Sequence, residues 1–452
     1  MALQTHSAAA ALLKRKYGPG IQDQLQNETI ALGMLQRIGK EKWGGSAFFH
    51  SLRTGRNRSM RPGGESTALP TAQRQAYTNA QIGCRIYHGV GGFTEFGAAA
   101  TQGSDAAFGE MVKTEVNGLI ADARKDLNID VYGTPLGVLA RINGAHGEVA
   151  TVNLHQAQAL DPFNTYGNRY LSPNMLIDIV DQQNGTVHSS GLTVASVASA
   201  NRTQVTFTGN IADPIDDGDL LVRSGTQTTA AAAARAFDGL EMLIDDTTTM
   251  PTDLTAMGFD LDTLEGISRS TLDGDGNPNN NEYWRGNVMD LAGAALSETH
   301  LQNIVYLSEE RGGLYPDVFL THRSVQYAIQ QLMVGDRRFV PQEFPGGFKA
   351  VSLVYNAGDM DIPVVVDREC PYDRLYALNL DCLHMYVLRD VELIENDGSV
   401  LRQASSNGDE WEFAIRLFGN LGTTQPNALG KLVRIGGADE AFGIGAARVY
   451  DF

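Results

Sequence analysis

The stretch DIPVVVDRECPYDRLYALNLDCL, Asp361 to Leu383, passes from a β-branched run through Asp367, Glu369 and Cys370, beside Pro371, into a second apolar run. Two acids and a thiol between strands could supply a nucleophile with its acid and base, which must lie within hydrogen-bond reach of one another. No histidine lies nearer in sequence than His384. Val364 to Val366 favours a strand, Pro371 interrupts the ladder, and Leu375-Tyr376-Ala377-Leu378 begins a new strand. The segment therefore reads as two strands joined by a solvated turn.

The rest of the chain sets the context. Its 452 residues allow roughly two to four compact units. An apolar content of 42% with 19% charged residues is that of a folded protein, and 49 glycines with 15 prolines predict many turns and extended segments. Cys84, Cys370 and Cys382 show no CxxC spacing, which argues against a disulfide framework or a thiolate zinc site and for a reducing cytosol. The start MALQTHSAAAALLKRKYG has its apolar run before its basic cluster, the reverse of a secretory signal, and no run approaches about 18 apolar residues. Neither export nor membrane spanning is expected.

Charge is unevenly spread. From Met1 to Pro62 ten Lys/Arg face Asp23, Glu28 and Glu41, a balance of +7 that leaves −25 of the overall −18 to the remainder. A basic arm on an acidic body suits docking on a second copy of that body, and no aromatic interleaving marks the arm as a nucleic-acid reader.

Residues 1–42 read as an arm with a short helix near Ala8 to Lys16, a Gly18-Pro19-Gly20 break and a second helical piece. Trp43 to Met60 and Arg74 to Phe93 are extended and much of the pair is polar on both faces, with a tip at Arg61-Pro62-Gly63-Gly64-Glu65-Ser66, so it predicts a long hairpin that needs a neighbour. From Ser104 to Asn128 the residues Phe108, Val112, Val116, Leu119, Ala123 and Leu127 recur at helical steps. Residues 148–226 give short strands at Val149 to Leu154, Met175 to Val180, Leu192 to Val197, Val205 to Thr208 and Asp219 to Val222, which predict a small β-sandwich or barrel. Further helices are expected at Ala230 to Asp245, Glu298 to Arg311 and His322 to Val334, the last after the buried strand Pro316 to Leu320 with Thr321 as N-cap. Strands fill Ala350 to Ile394, then Glu410 to Leu417 and Gly430 to Ile435.

Searches for chemistry return little. Gly89-Val90-Gly91-Gly92-Phe93-Thr94 begins like a dinucleotide fingerprint but lacks the third glycine, and Gly39-Lys40 is followed by Glu41 where a P-loop needs Ser or Thr. Asp273, Asp275 and Asn277 open like a calcium loop, yet Pro278 replaces the turn glycine and Trp284 the bidentate glutamate; they remain weak metal candidates. His155, His188, His300 and His322 are scattered singly, and neither HExxH nor GxSxG occurs. No catalytic residue, cofactor or enzyme activity is expected.

The order of parts resembles the major capsid protein of tailed bacteriophages, an α+β protein of the Hong Kong phage 97 fold. Tyr315 to Thr321 followed by a helix and Asp336-Arg337-Arg338-Phe339 looks like that family's axial-domain strand and helix. Asp361 to Asp367 with Arg374 to Asn379 is like its paired strands, and Leu264-Glu265-Gly266-Ile267 and Trp284 sit where related proteins carry similar residues. The resemblance implies an N-terminal arm (1–42), an extended hairpin loop (43–93), a peripheral domain with a spine helix (94–147), an inserted β domain (148–226), an axial domain (227–405) and closing peripheral strands (406–452). It implies hexamers and pentamers of one chain in an icosahedral virion head, assembled in the host cytoplasm around double-stranded DNA without sequence-specific recognition. A separate scaffolding protein and a portal are the implied partners, with no membrane. Arg53, Arg56, Arg58, Arg61 and Arg74 are the expected intersubunit contacts. Some members of the family join a hairpin lysine to a neighbour's asparagine; here no lysine lies between Lys42 and Lys113, so a shell without that cross-link is implied. An encapsulin-type nanocompartment is the alternative within the fold, and a cytosolic calcium-dependent hydrolase with a site near Asp273 the alternative from another class.

Overall fold

The computed structural model describes residues 29–39, 47–63, 65, 69, 71–94, 105–155, 167–182, 185–198, 203–226, 235–246, 263–270, 281–332, 339–343, 349–356, 361–395, 402–403 and 410–436. The expected helix near Ala8, the loop at Asp273 and the segment Asp336 to Arg338 lie outside them.

The opening stretch belongs to a seven-stranded mixed sheet. Val318–Thr321 lies between Asp361–Val366, to which it runs parallel, and Leu375–Leu378, to which it runs antiparallel. Such short continuous apolar runs suit strands covered on both faces. One face is covered by the helices Glu298–Gly312 and Arg323–Leu332, whose Leu301, Ile304, Val305, Val325 and Ile329 pack on Phe319, Val364, Leu375 and Leu432. The first helix has its start and stop in the sequence. The Ser297 side chain accepts from His300 N, and Gly313 ends the helix at φ +70, donating to Glu309 O. The second is capped differently from expectation. Thr321 stays in its strand, its hydroxyl donating to Arg374 O at 2.8 Å, and His322 Nδ1 accepts from Ser324 N at 3.1 Å instead. Burial, with Arg169, Arg323 and Arg368 nearby, holds His322 down to about 2, so its ring is neutral and free to accept.

A five-stranded sheet is built on Glu410–Thr423, which pairs antiparallel with Leu383–Leu393 and with Arg85–Thr94. The long helix Asp105–Val131 packs on Arg85–Thr94. The glycines there serve packing: a Cβ on Gly91 would stand 2.5 Å from Phe413 Cζ. The chain then divides its closing strands. Glu410–Thr423 remains in this sheet, whereas Gly430–Val433 crosses to the seven-stranded one, between Asn287–Asp290 and Leu375–Leu378.

Residues 138–223 form a third unit. Its six strands run in the order Val138–Arg141, Leu220–Arg223, Leu176–Val180, Val187–Val197, Gln204–Phe207 and Thr151–Asn153. A bridge between Ile142 and Leu154 joins the two ends, so the sheet closes as a barrel around Leu139, Ile177, Ile179, Val194, Val205 and Leu221. It begins earlier than 148, because Val138–Arg141 is needed to complete the ring.

Two expectations fail for a shared reason. Among its described residues, the stretch expected as a helix from Ala230 to Asp245 is helical only at Leu240–Leu243, because Gly239 passes so close to the end of the long helix that a Cβ would meet Gly133 O at 2.4 Å. The turn after Val366 is not solvated. Asp367 is buried, its Oδ2 accepting from Ala31 N at 3.0 Å and Asn128 Nδ2 at 2.9 Å, its Oδ1 from Glu369 N at 2.9 Å. The barrel reaches the same turn: Tyr170 donates to Glu369 O at 2.9 Å, Arg169 Nη1 to Cys370 O at 3.2 Å, and the Arg169 guanidinium lies 4.3 Å from the Tyr372 ring. In both places tertiary packing overrides a locally reasonable choice.

Behind the sheet Glu241 gathers a buried ionic cluster. Its Oε1 accepts from Arg374 Nε at 3.0 Å and the Tyr376 hydroxyl at 2.6 Å, its Oε2 from Lys431 Nζ at 2.7 Å. Burial pushes the carboxyl up, but Lys431 and Arg374 outweigh it and hold it down to about 2. Because the folded value lies below the ordinary 4.5, the contribution is complete above pH 4.5 and is lost as pH falls toward 2.

Two outcomes are expected from these buried groups. Between pH 5 and 2 the wild-type protein should lose about 3 kcal/mol of unfolding free energy that Glu241→Gln does not lose, as read by urea denaturation at each pH. Asp367→Asn turns an amide donor toward existing donors and should cost about 2 kcal/mol at neutral pH, with faster proteolysis within residues 29–39.

Candidate intersubunit surface

Ala47–Gly55 and Ala76–Gly83 pair antiparallel, from Ala47 opposite Gly83 to Gly55 opposite Ala76. The ribbon ends at Cys84; the following strand, Arg85–Thr94, leaves it for the five-stranded sheet, so the second extended segment is two strands rather than one. Arg85 goes with the body, 2.8 Å from Asp238.

Strand alternation gives the ribbon two unlike faces. Phe48, Ala80 and Ile82 are buried against the body, where the Phe48 ring lies 4.4 Å from that of Tyr386. Gln81 N donates to Glu265 O at 2.7 Å, fastening the root to the turn of the small hairpin Thr263–Leu264 and Ile267–Ser268. Glu265 and Gly266 both have positive φ, as the tightest hairpin turns require, and Trp284 Nε1 donates to Leu264 O at 2.9 Å. The opposite face carries Phe49 at 52% exposure and Tyr77 at 64%, together with Ser51, Arg53 and Asn79. The ribbon is therefore anchored at its root and amphipathic, not polar on both faces. Period-two alternation of Phe48, His50 and Leu52 against Phe49, Ser51 and Arg53 is the signal in the sequence for this.

Beyond the ladder, Asn57 steadies the tip: its Nδ2 donates to Gln73 O at 2.6 Å and its Oδ1 accepts from Ser59 N at 2.9 Å. Met60 at 97% and Leu69 at 91% exposure stand in solvent. Arg53, Arg56, Arg58, Arg61 and Arg74 are all exposed, and among the described residues Arg53, Arg56, Arg58 and Arg74 reach no carboxylate. The fold thus gathers all five on one projecting ribbon.

The residues considered for chemistry are dispersed. Cys370 is fully buried, and burial with the neighbouring Asp367 pushes its thiol well up, away from the reactive thiolate. His155 lies 3.0 Å from Asp217 and His188 3.5 Å from Asp219 on the barrel, while His300 sits in the first turn of its helix. Among the described residues no three His, Cys, Asp or Glu side chains are grouped to hold a metal, and no helix is long and apolar enough to cross a membrane. Asp273, Asp275 and Asn277 lie outside the described residues.

Residues 220–397 match the family model of the SU10 major capsid protein. No curated protein matches the chain. Among solved structures, the chain is similar to the cyanophage A-1(L) capsid subunit at 14% identity and a TM-score of 0.51, over 94% of this chain and 98% of that one. More distant similarity extends to the capsid of the native GTA particle (8% identity, TM-score 0.46, 96% and 99% covered) and the SrpI encapsulin of Synechococcus elongatus PCC 7942 (7%, 0.44, 100% of both). By sequence over residues 220–397, and by fold over nearly its whole length, the chain resembles the major capsid proteins of tailed phages and has their Hong Kong phage 97-type α+β fold.

Proposed function

We propose that the chain is a structural shell subunit, not an enzyme, that assembles as hexamers and pentamers into an icosahedral head around double-stranded DNA, in the host cytoplasm and with a separate scaffolding protein and portal. The observation that carries this reading is the ribbon, held by its own subunit at the root while its outer face and tip present Phe49, Tyr77, Met60, Leu69 and a row of arginines. Burying a large apolar side chain contributes about 1.5–3 kcal/mol, so a few such contacts per neighbour stay reversible singly and hold firmly when repeated around a closed shell. Arg53, Arg56, Arg58, Arg61 and Arg74 are the proposed intersubunit contacts, steering the ribbon onto an acidic neighbour.

Reversing Arg53, Arg56 and Arg58 to Glu should reduce the yield of closed shells in negative-stain images, most strongly at low ionic strength, since about 0.15 M salt already screens exposed charges beyond roughly 8 Å. Yields indifferent to both mutation and salt would remove the docking role; normal shells that retain less DNA would point to nucleic acid as the partner of these arginines.

Guanidinium groups stay protonated and are poor nucleophiles, and the described ribbon carries arginine where a cross-link would need lysine. Assembled particles boiled in denaturant should therefore run as a single band near 48.8 kDa. A ladder of covalent multimers that survives reductant would contradict this.

A further inference from the structure

The ribbon root encloses an unusual concentration of buried polar atoms. Neither ring nitrogen of His50 has a hydrogen-bond partner, nor has Glu265 Oε2, nor the Tyr386 hydroxyl. His50 is on the ribbon, Glu265 in the small hairpin turn that accepts Gln81 N, and Tyr386 on Leu383–Leu393. Nε2 of His50 and Oε2 of Glu265 stand 3.9 Å apart, both side chains largely buried. That gap is about 1 Å too long for a hydrogen bond, and a small movement of the root would close it.

We propose that His50 and Glu265 form a proton-operated latch at the ribbon root, closed when the pair holds one proton between them and loosened when it takes up a second from solvent or releases the last one to it.

With one proton, carboxylic acid and imidazole, or carboxylate and imidazolium, can share a hydrogen bond, and no net charge is buried. A second proton leaves an imidazolium beside a neutral acid, with His384 nearby to oppose it and the rings of Phe48 and Trp284 within about 6 Å offering no anion. Loss of the last proton leaves a buried carboxylate that Asp238 opposes and that only Arg269 and Thr423 N, which donates to Oε1 at 2.8 Å, support. Burial and His384 hold His50 below its ordinary value, while burial, more than Asp238, holds Glu265 well above its own. In linkage terms the two penalties offset each other between pH 4.5 and 6.5, where the unfolded pair also holds one proton; the acid limb emerges as pH falls below 4.5, where the unfolded pair holds two, and the alkaline limb as pH rises above 6.5, where it holds none. Two interacting groups titrate as a pair, so tightness at the root should pass through a maximum.

The inference does not depend on shell assembly and is read on the unassembled full-length subunit. Hydrogen–deuterium exchange, corrected for its intrinsic pH dependence, would be followed from about pH 3 to 9 in Ala47–Gly55 and Ala76–Gly83, with barrel strands as the internal reference. Protection of the ribbon should peak and fall by about tenfold on each side, the equivalent of one pH unit of linkage. His50→Gln should abolish the acid limb alone and Glu265→Gln the alkaline limb alone. Flat profiles in the wild type, or both limbs persisting in either variant, would overturn the latch. Should a variant fail to fold, isotope-labelled wild type decides: the His50 ring nitrogens and the Glu265 carboxyl carbon must titrate in common steps, and independent titrations would refute the pairing.

Discussion

One carboxylate holds the parts of this subunit in register. Asp367 ends the strand Asp361–Val366, and its two oxygens receive the backbone of Ala31, the side chain of Asn128 and the backbone of Glu369. Three segments that share no sheet, the short helix Ile30–Met34, the last turns of Asp105–Val131 and the turn toward Leu375–Leu378, are thereby fixed at one point. A buried acceptor-only group surrounded by donors admits few alternative arrangements, because each misplacement leaves a buried donor unpaired.

The same turn receives the barrel through Arg169 and Tyr170, and the barrel reaches back to the long helix through Arg223, which bonds Asp130. Asp130 in turn accepts from the Tyr87 hydroxyl, and that hydroxyl accepts from Phe237 N. Polar contacts thus join the three units, and so does one shared apolar core, to which the barrel gives Val138, Val180, Leu220 and Val222 and the two sheets give Val318, Leu320, Leu417 and Leu421. Apolar burial is non-directional; buried hydrogen bonds and ion pairs such as Glu241 with Arg374 and Lys431 fix orientation.

The sequence made some of this visible and hid the rest. Helical spacing from Val116 to Leu127 identifies a face that is half-buried or buried, and short β-branched runs with turn residues identify most barrel strands. Local signals of that kind survive because each segment packs in the way its own pattern suggests. In sequence Asp367 looks like part of a solvated turn, because its partner Ala31 lies 336 positions away and nothing within a few residues of it announces a donor. Lys431, a charge inside a strand, is equally unreadable without Glu241 beside it. The ribbon's arginines and the alternation behind its amphipathic character are visible in the sequence, whereas the approach of His50 to Glu265 depends on a turn that only the folded chain brings beside it.

The closed barrel has a further consequence. Its first and last strands, Val138–Arg141 and Leu220–Arg223, are neighbours in the ladder, with Val138 opposite Val222. Entry to and exit from the unit are therefore separated by one rung, about 5 Å, a span that a two-residue loop can bridge. A unit whose ends adjoin places little loop-closure cost on the segments before and after it, and its closed ladder leaves little edge open to stray strand pairing. What fixes the barrel to the rest of the subunit is then its side, not its ends: the polar contacts of Arg169, Tyr170 and Arg223, and Val138, Val180, Leu220 and Val222 in the shared apolar core.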